Sequence, residues 1–248
     1  MPSITPIKKV LSLLLRGQFG VLFHKVTSKF VLRGSAPVDY SHEGMSTKVY
    51  LRRNGLEDLK VTETPLYEEA MAAAKKKGIG MGGGGNVELL SAIVNALDEE
   101  CIVLETGVSM GWSSAFILEY LKDGLLVSTD LPYPGQDTDI GFLVDRKKHT
   151  NWILLLGLDS VLLPSLTEVL RNAALVHYDS DKNYRGKLRS LLLIFDALPS
   201  KAWLVVDDIS DNSAFDEFCR KRNLESSIVY FENHRISNKK QYVGVVRK

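Results

Sequence analysis

Five charged residues in two short segments have the types and spacing to do chemistry together. ALVHYDSDKNYRG, residues 174–186, carries Asp179, Asp181 and Lys182, and WLVVDDIS, residues 203–210, carries Asp207 and Asp208. Each segment opens with an apolar run that reads as a buried strand and stops at its first aspartate. If the two strands are neighbours, their backbones stand about 4.8 Å apart. Two carboxylates ~4 Å apart repel by about 1 kcal/mol in water and ~4 kcal/mol at an effective dielectric of 20. Such a cluster requires cations or protons. Asp179, Asp207 and Asp208 offer only oxygen donors, which points to magnesium, manganese or calcium rather than zinc. His177, inside the apolar run, reads as a packed core residue. The plainer alternative is that the acids cap strand ends and solvate a rim.

A second constellation lies upstream in CIVLETGVSMGWSSAFILEYLKDG, residues 101–124. Cys101 to Leu104 suits a buried parallel strand, and Ser113 to Lys122 reads as a helix closed by Gly124. Between them runs Glu105-Thr106-Gly107-Val-Ser109-Met-Gly111, giving strand, glycine turn and helix. A further strand, Leu125 to Thr129, leads to Asp130, 19 residues beyond Gly111, where an acid can accept hydrogen bonds from two ribose hydroxyls.

The glycine-rich KGIGMGGGGN, residues 77–86, formally contains Gly-x-Gly-x-x-Gly twice. A dinucleotide fingerprint needs a strand before its glycines. Here Thr64 as N-cap, Pro65, the early Glu68 and Glu69, the late Lys75 to Lys77 and then Gly78 punctuate a helix instead. The run therefore reads as a helix stop and flexible connector, with a flap beside a cofactor as the alternative. Asn86 is placed to cap a second helix with Val87, Leu90, Val94 and Leu97 on one face.

These segments need elements to position them, and the rest of the chain supplies the alternation. Strands are expected at Trp152–Leu156, Ala174–Tyr178 and Ala202–Val206. Helices are expected at Leu163–Arg171, Tyr184–Leu198 and Ser213–Arg222. Two final strands, Ser227–Phe231 and Tyr242–Val246, follow one another as a hairpin. The pattern predicts an α/β, doubly wound, Rossmann-like fold with a mostly parallel seven-stranded sheet and a C-terminal antiparallel hairpin. Residues 1–85 form an N-terminal helical, basic extension with the glycine connector, and residues 86–248 form the ligand-binding domain. Ligands belong at the carboxyl ends of the strands, where Gly107, Asp130, Asp179 and Asp207 fall.

Composition narrows the partners. The 248 residues are 45% hydrophobic and 25% charged with a net charge of +1, ordinary for a globular protein and without a pull towards nucleic acid. Residues 1–38 carry six cations, Lys8, Lys9, Arg16, Lys25, Lys29 and Arg33, and no acid. VLSLLL within this arm is far shorter than the ~20 apolar residues of a membrane span. The arm is expected either to pack on the protein or to make peripheral membrane contact. Cys101 and Cys219 are too few for a disulfide framework, which fits a cytoplasmic chain. A homodimer is the expected assembly. The long polar connection Leu131–Asn151 reads as acceptor site or lid.

VLETGVSMGWSS, then VSTD, then the terminal hairpin resemble the class I S-adenosylmethionine-dependent methyltransferases over about residues 86–248. The resemblance implies S-adenosylmethionine as cofactor. Its methionine part would lie beside Glu105, Thr106, Gly107, Ser109 and Gly111, its ribose on Asp130, and its adenine by Asp159 and Ser160 in GLDS. Ser109 stands where the family commonly has glycine, which implies a less tight turn. DSDKNY, with DD 28 residues after its first acid, resembles the cation-dependent O-methyltransferases of the caffeoyl-CoA and catechol type and of the macrocin and sugar type. That likeness implies Asp179, Asp207 and Asp208 as ligands of a divalent cation, Mg2+ or similar. It implies Lys182 as the base, with Asp181 second. The implied reaction is metal-assisted O-methylation of a hydroxyl on a small molecule, sugar or glycan. Two other classes compete. Gly107, Asp130 and Tyr178-x-x-x-Lys182 echo NAD(P)-dependent short-chain oxidoreductases, and a non-catalytic binding protein can keep a cofactor fold.

Overall fold

The computed structural model describes residues 36–77, 86–131, 140–233 and 239–248. The arm up to residue 35, the glycine run 78–85 and residues 132–139 of the long connection lie outside the described residues. In chain order the elements are β1 (Met45–Ser46), α1 (Thr47–Arg53), α2 (Pro65–Lys77), α3 (Val87–Asn95), β2 (Ile102–Thr106) and α4 (Trp112–Tyr120). They continue with β3 (Leu125–Asp130), β4 (Trp152–Leu156), α5 (Asp159–Ser165), α6 (Thr167–Asn172), β5 (Ala173–Tyr178) and α7 (Tyr184–Ala197). The chain closes with β6 (Trp203–Val206), α8 (Ala214–Arg222), β7 (Ser227–Asn233) and β8 (Lys239–Arg247).

Alternation along each strand sends neighbouring side chains to opposite faces. Val103, Leu126, Leu175 and Val205 pack on one face against Leu90 and Ile93 of α3 and Ile117 and Leu118 of α4. Leu104, Val127, Val176 and Leu204 pack on the other against Leu191 and Ile194 of α7 and Phe215 and Phe218 of α8. Both faces are therefore covered, as the near-continuous apolar runs of these strands require.

The sheet order is β1-β7-β8-β6-β5-β2-β3-β4. Strands β2 to β6 are parallel, and β8 pairs antiparallel with both β6 and β7. This is the expected doubly wound sheet and terminal hairpin, with an eighth strand added. Met45–Ser46 pairs in parallel with Val229–Tyr230, and so short an edge carries no apolar run by which to recognise it. The helix expected at Leu163–Arg171 is instead two, α5 and α6, meeting at Leu166. Asp159 starts the first at a position that favours an acid, and Pro164 inside it brings no N–H to the helix ladder.

The chain order reverses between β3 and β4 on one side of β2 and β5 and β6 on the other, which opens a crevice outside the carboxyl ends of β2 and β5. Part of the N-terminal region closes against the same body. Tyr40 is buried and its hydroxyl donates to Asp216 on α8 at 2.6 Å. Ala70 and Ala74 of α2 pack with Met110, Trp112 and Phe116 beside the glycine turn. Trp112 stacks edge-on with Tyr67 at 5.4 Å, so it serves packing. Among the described residues no helix is long and apolar enough to cross a membrane.

Candidate active site

The turn after β2 is closed by three left-handed residues, Gly107 (φ 83°), Ser109 (φ 50°) and Gly111 (φ 88°). A Cβ on Gly107 would stand 2.1 Å from the Asp179 carbonyl oxygen, so only glycine lets the loops after β2 and β5 touch. Ser109 adopts the conformation of the glycine it replaces, at a cost of roughly 1 to 2 kcal/mol. Its N–H donates to Asp130 Oδ2 at 2.5 Å, a charge-assisted bond that offsets the strain. The expectation of a looser turn is corrected accordingly. Burial raises the Asp130 carboxyl above the usual range, against the lowering pull of the Ser109 N–H. Gly141 N–H donates to the Ser109 carbonyl at 2.9 Å, and Leu143 N–H to that of Met110 at 3.0 Å, pinning the described part of the long connection to the turn.

Glu105, expected beside the methionine part of the cofactor, is fully buried behind the turn. It has 0% exposure, and its carboxylate accepts from Ser113 Oγ at 2.5 Å, Ser114 Oγ at 2.5 Å and Ser128 Oγ at 2.9 Å. Trp152 Nε1 donates onward to Ser128 Oγ at 2.9 Å. The network therefore ties β2, β3, β4 and α4 together under the turn. His177 Nδ1 lies 3.6 Å from Glu105 Oε1. Burial opposes ionisation of Glu105, yet the imidazole and the serine hydroxyls outweigh it and hold the carboxyl below its usual range. Burial likewise opposes protonation of His177, and Glu105 outweighs it with help from Asp179 and Asp207.

Thr106 is buried, and its hydroxyl accepts from Asp179 N–H at 3.3 Å and Ser180 Oγ at 3.1 Å. The Ser180 hydroxyl also meets the Asp159 carboxylate, linking the loops after β4 and β5. Ser160 is exposed in the first turn of α5.

Strands β5 and β6 are neighbours in register Tyr178↔Val206, so Asp179 and Asp207 come together as expected. Asp207 is 5% exposed, and burial together with Asp179 and Asp208 pushes its carboxyl up to about 7. Lys182 pairs with Asp179 and, at 2.6 Å, with Asp208 Oδ2. Burial opposes its charge, but the surrounding aspartates prevail and raise its pKa above the usual lysine value. Lys182, expected as the base, is thus paired with two carboxylates that favour its charged form. Burial works against the Asp208 charge too, and Lys182 prevails there, lowering its pKa. Asp181 accepts from Asn183 N–H at 3.0 Å, and Asn183 caps α7 by accepting from Gly186 N–H at 2.8 Å. Asp181 thus helps close the start of the helix.

The metal expectation also shifts. Ligand atoms of His177, Asp179 and Asp207 lie within 4.8 Å of one another, while Asp208 is drawn to Lys182. Two of the three expected donors, Asp179 and Asp207, thus come together with His177. The Tyr178–Lys182 pair of an oxidoreductase is not assembled. Tyr178 is buried at the end of β5 and Lys182 stands in the loop before α7.

Lys187 was invisible as a site residue in the sequence. It is 1% exposed, and its Nζ donates to the carbonyls of Asp207 at 3.2 Å and Asp208 at 2.8 Å. Burial lowers its pKa. The signal that could have found it is its place on the apolar stripe of α7, ahead of Leu191 and Ile194 at helical spacing.

Residues 104–209 match the family model of a methyltransferase domain. No curated protein matches the chain by sequence. The chain is similar in structure to the O-methyltransferase from Bacillus cereus in complex with SAH, at 12% identity and TM-score 0.59, with 81% of this chain and 96% of that one covered. It is similar to cofactor-bound Rv0187 from MTB at 15% identity and TM-score 0.60, covering 83% and 98%. It is also similar to TomG, the O-methyltransferase from Streptomyces achromogenes involved in tomaymycin synthesis, in complex with SAM. There the identity is 15% and the TM-score 0.58, covering 81% and 95%. The Rossmann-like fold is shared with these proteins.

Proposed function

We propose that this protein is an S-adenosylmethionine-dependent O-methyltransferase acting on a hydroxyl of a small molecule, sugar or glycan. The observation that carries the reading is the shared position of two half-sites. The Gly107–Gly111 turn with Asp130, and the Asp179–Lys182–Asp208 cluster, stand at the same sheet edge on the two sides of the topological switch point. In this reading Thr106, Gly107, Ser109 and Gly111 cradle the methionine half of the cofactor. Asp130 takes the ribose hydroxyls, and Asp159 and Ser160 flank the adenine. Glu105 positions the turn from below.

The sulfonium methyl is already electrophilic, so the protein's task is to orient an oxygen in line with it and remove a proton. The acceptor oxygen attacks the methyl carbon, the carbon–sulfur bond breaks and its electron pair returns to sulfur. The hydroxyl proton passes to the Asp179 carboxylate, and the Lys182 ammonium steadies the developing oxyanion. The convergence of His177, Asp179 and Asp207 favours a second form of the same reading, in which these residues hold a divalent cation. Such an ion would polarise the acceptor oxygen.

A sugar hydroxyl is the first acceptor class to screen and a catechol the second. The basic arm supports a lipid-linked acceptor at a membrane surface, and failure to co-sediment with anionic vesicles removes that extension. The central test is calorimetric titration with S-adenosylhomocysteine and, separately, NADH, followed by transfer from labelled S-adenosylmethionine to an acceptor panel. Binding of the thioether alone is expected, and binding of NADH alone overturns the reading.

A further inference from the structure

The acid site already contains a cation, and the fold has built a place for it. Three aspartates, Asp179, Asp207 and Asp208, crowd the ends of β5 and β6. Among the described residues, Lys182 is the lysine whose ammonium pairs with their carboxylates. Lys187 spends its ammonium on two carbonyls, and His177 lies against Glu105. Lys182 is also held at its backbone. Asn212, buried in the loop after β6, donates its side-chain N–H to the Lys182 carbonyl at 2.9 Å. The residue is therefore gripped at both ends, its main chain by the β6 loop and its side chain by one aspartate from each loop. Three carboxylates this close require positive charge or protons among them, and a tethered ammonium supplies charge without the entropic cost of capturing a free ion.

We propose that Lys182 is the resident cation of this site, bridging Asp179 and Asp208 and balancing the acid turn without a divalent ion. A divalent ion could then enter only by displacing the ammonium from Asp179. Its use in stabilising an oxyanion rests on the methyltransferase reading, whereas its role in balancing the aspartates does not.

The test uses the full chain freed of metal by a chelator, with thermal midpoint and S-adenosylhomocysteine affinity as readouts. The wild-type midpoint is expected to be the same in chelator and in millimolar Mg2+ or Mn2+. Lys182→Met is expected to lose several degrees in chelator and to regain part of the loss in Mg2+ or Mn2+, because the freed carboxylates then accept an ion. Adding Asp208→Asn to Lys182→Met removes the excess negative charge and is expected to restore stability without metal, which keeps the test informative if the single variant fails to fold. The proposal is overturned if the wild type itself gains several degrees on metal addition. It is equally overturned if Lys182→Met matches the wild type in chelator, or if the double variant remains as unstable as the single one. Failure of wild type to bind S-adenosylhomocysteine would refute the methyltransferase reading and leave these stability outcomes to decide the cation.

Discussion

Replacing Lys187 by methionine isolates the contribution of a buried ammonium that bonds to main chain rather than to an acid. Methionine keeps most of the apolar stem on α7 and removes the donor. The Asp207 carbonyl then loses this partner, whereas that of Asp208 keeps the Asp211 N–H at 3.3 Å. A buried acceptor left unpaired costs about 1 to 3 kcal/mol. Against this, removing a desolvated charge returns part of that cost, in line with the lowered pKa that burial imposes on this lysine. The bonds outweigh the relief because Asp208 is also held in a left-handed conformation at φ 49°, which unaided costs roughly 1 kcal/mol or more. The net loss is about 2 kcal/mol, or ~4 to 8 °C in midpoint for a chain of this size. Thermal and urea unfolding monitored together measure it. S-adenosylhomocysteine affinity should hold, since the glycine turn is untouched. A variant as stable as the wild type would refute the reasoning, because burial of the charge would then cost as much as its two bonds return.

Gly107→Ala places a Cβ against the Asp179 carbonyl at 2.1 Å and forces a left-handed alanine, so it should cost about 3 kcal/mol and lower S-adenosylhomocysteine affinity by ~100-fold or more. Calorimetry that found unchanged affinity would remove the turn from the cofactor site. Asp130 has its pKa raised by burial above the ordinary 3.8, so it protonates earlier on acidification. Thioether affinity should therefore fall at a higher pH than for an exposed carboxylate. The fold responds with the opposite sign, because a raised folded-state value contributes stability at low pH that is lost as pH rises through it. Asp130→Asn should bind weakly at all pH values, with the acid-side slope abolished. Glu105→Ala strands the hydroxyls of Ser113, Ser114 and Ser128 in a dry site, and a loss of about 3 to 5 kcal/mol is expected in urea unfolding.

Local punctuation was legible wherever short-range physics decides it. Thr64 accepts from Tyr67 N–H at the start of α2, and Asn86 accepts from Leu89 N–H at the start of α3, the capping roles their residue types advertise. Strand β4 begins and ends where its apolar run does. The order of glycine turn, Asp130 and paired strand-end acids was likewise readable, because each follows an apolar run whose length limits where the chain can turn. Less legible were residues whose meaning depends on what lies across the fold. Glu105 adjoins the glycine turn in sequence, yet strand alternation sends it inward to three serines and a histidine that no local pattern joins. The split between α5 and α6 and the two-residue β1 likewise depend on packing that a short window does not contain.

By itself the sequence determined the alternation of strands and helices, and hence the doubly wound sheet, because burial of both sheet faces leaves few ways to cover such apolar runs. It also placed Asp179 and Asp207 at the ends of two strands of one parallel sheet, and the pairing of β5 with β6 then brought them together. Tertiary structure alone decided which charge answers which. Lys182 and Lys187 lie five positions apart, yet one ammonium meets carboxylates and the other meets carbonyls. The physical reason is that a side chain's protonation and role follow from desolvation and from neighbours within a few ångströms, and here those neighbours include the start of the loop after β6, 20 or more residues away.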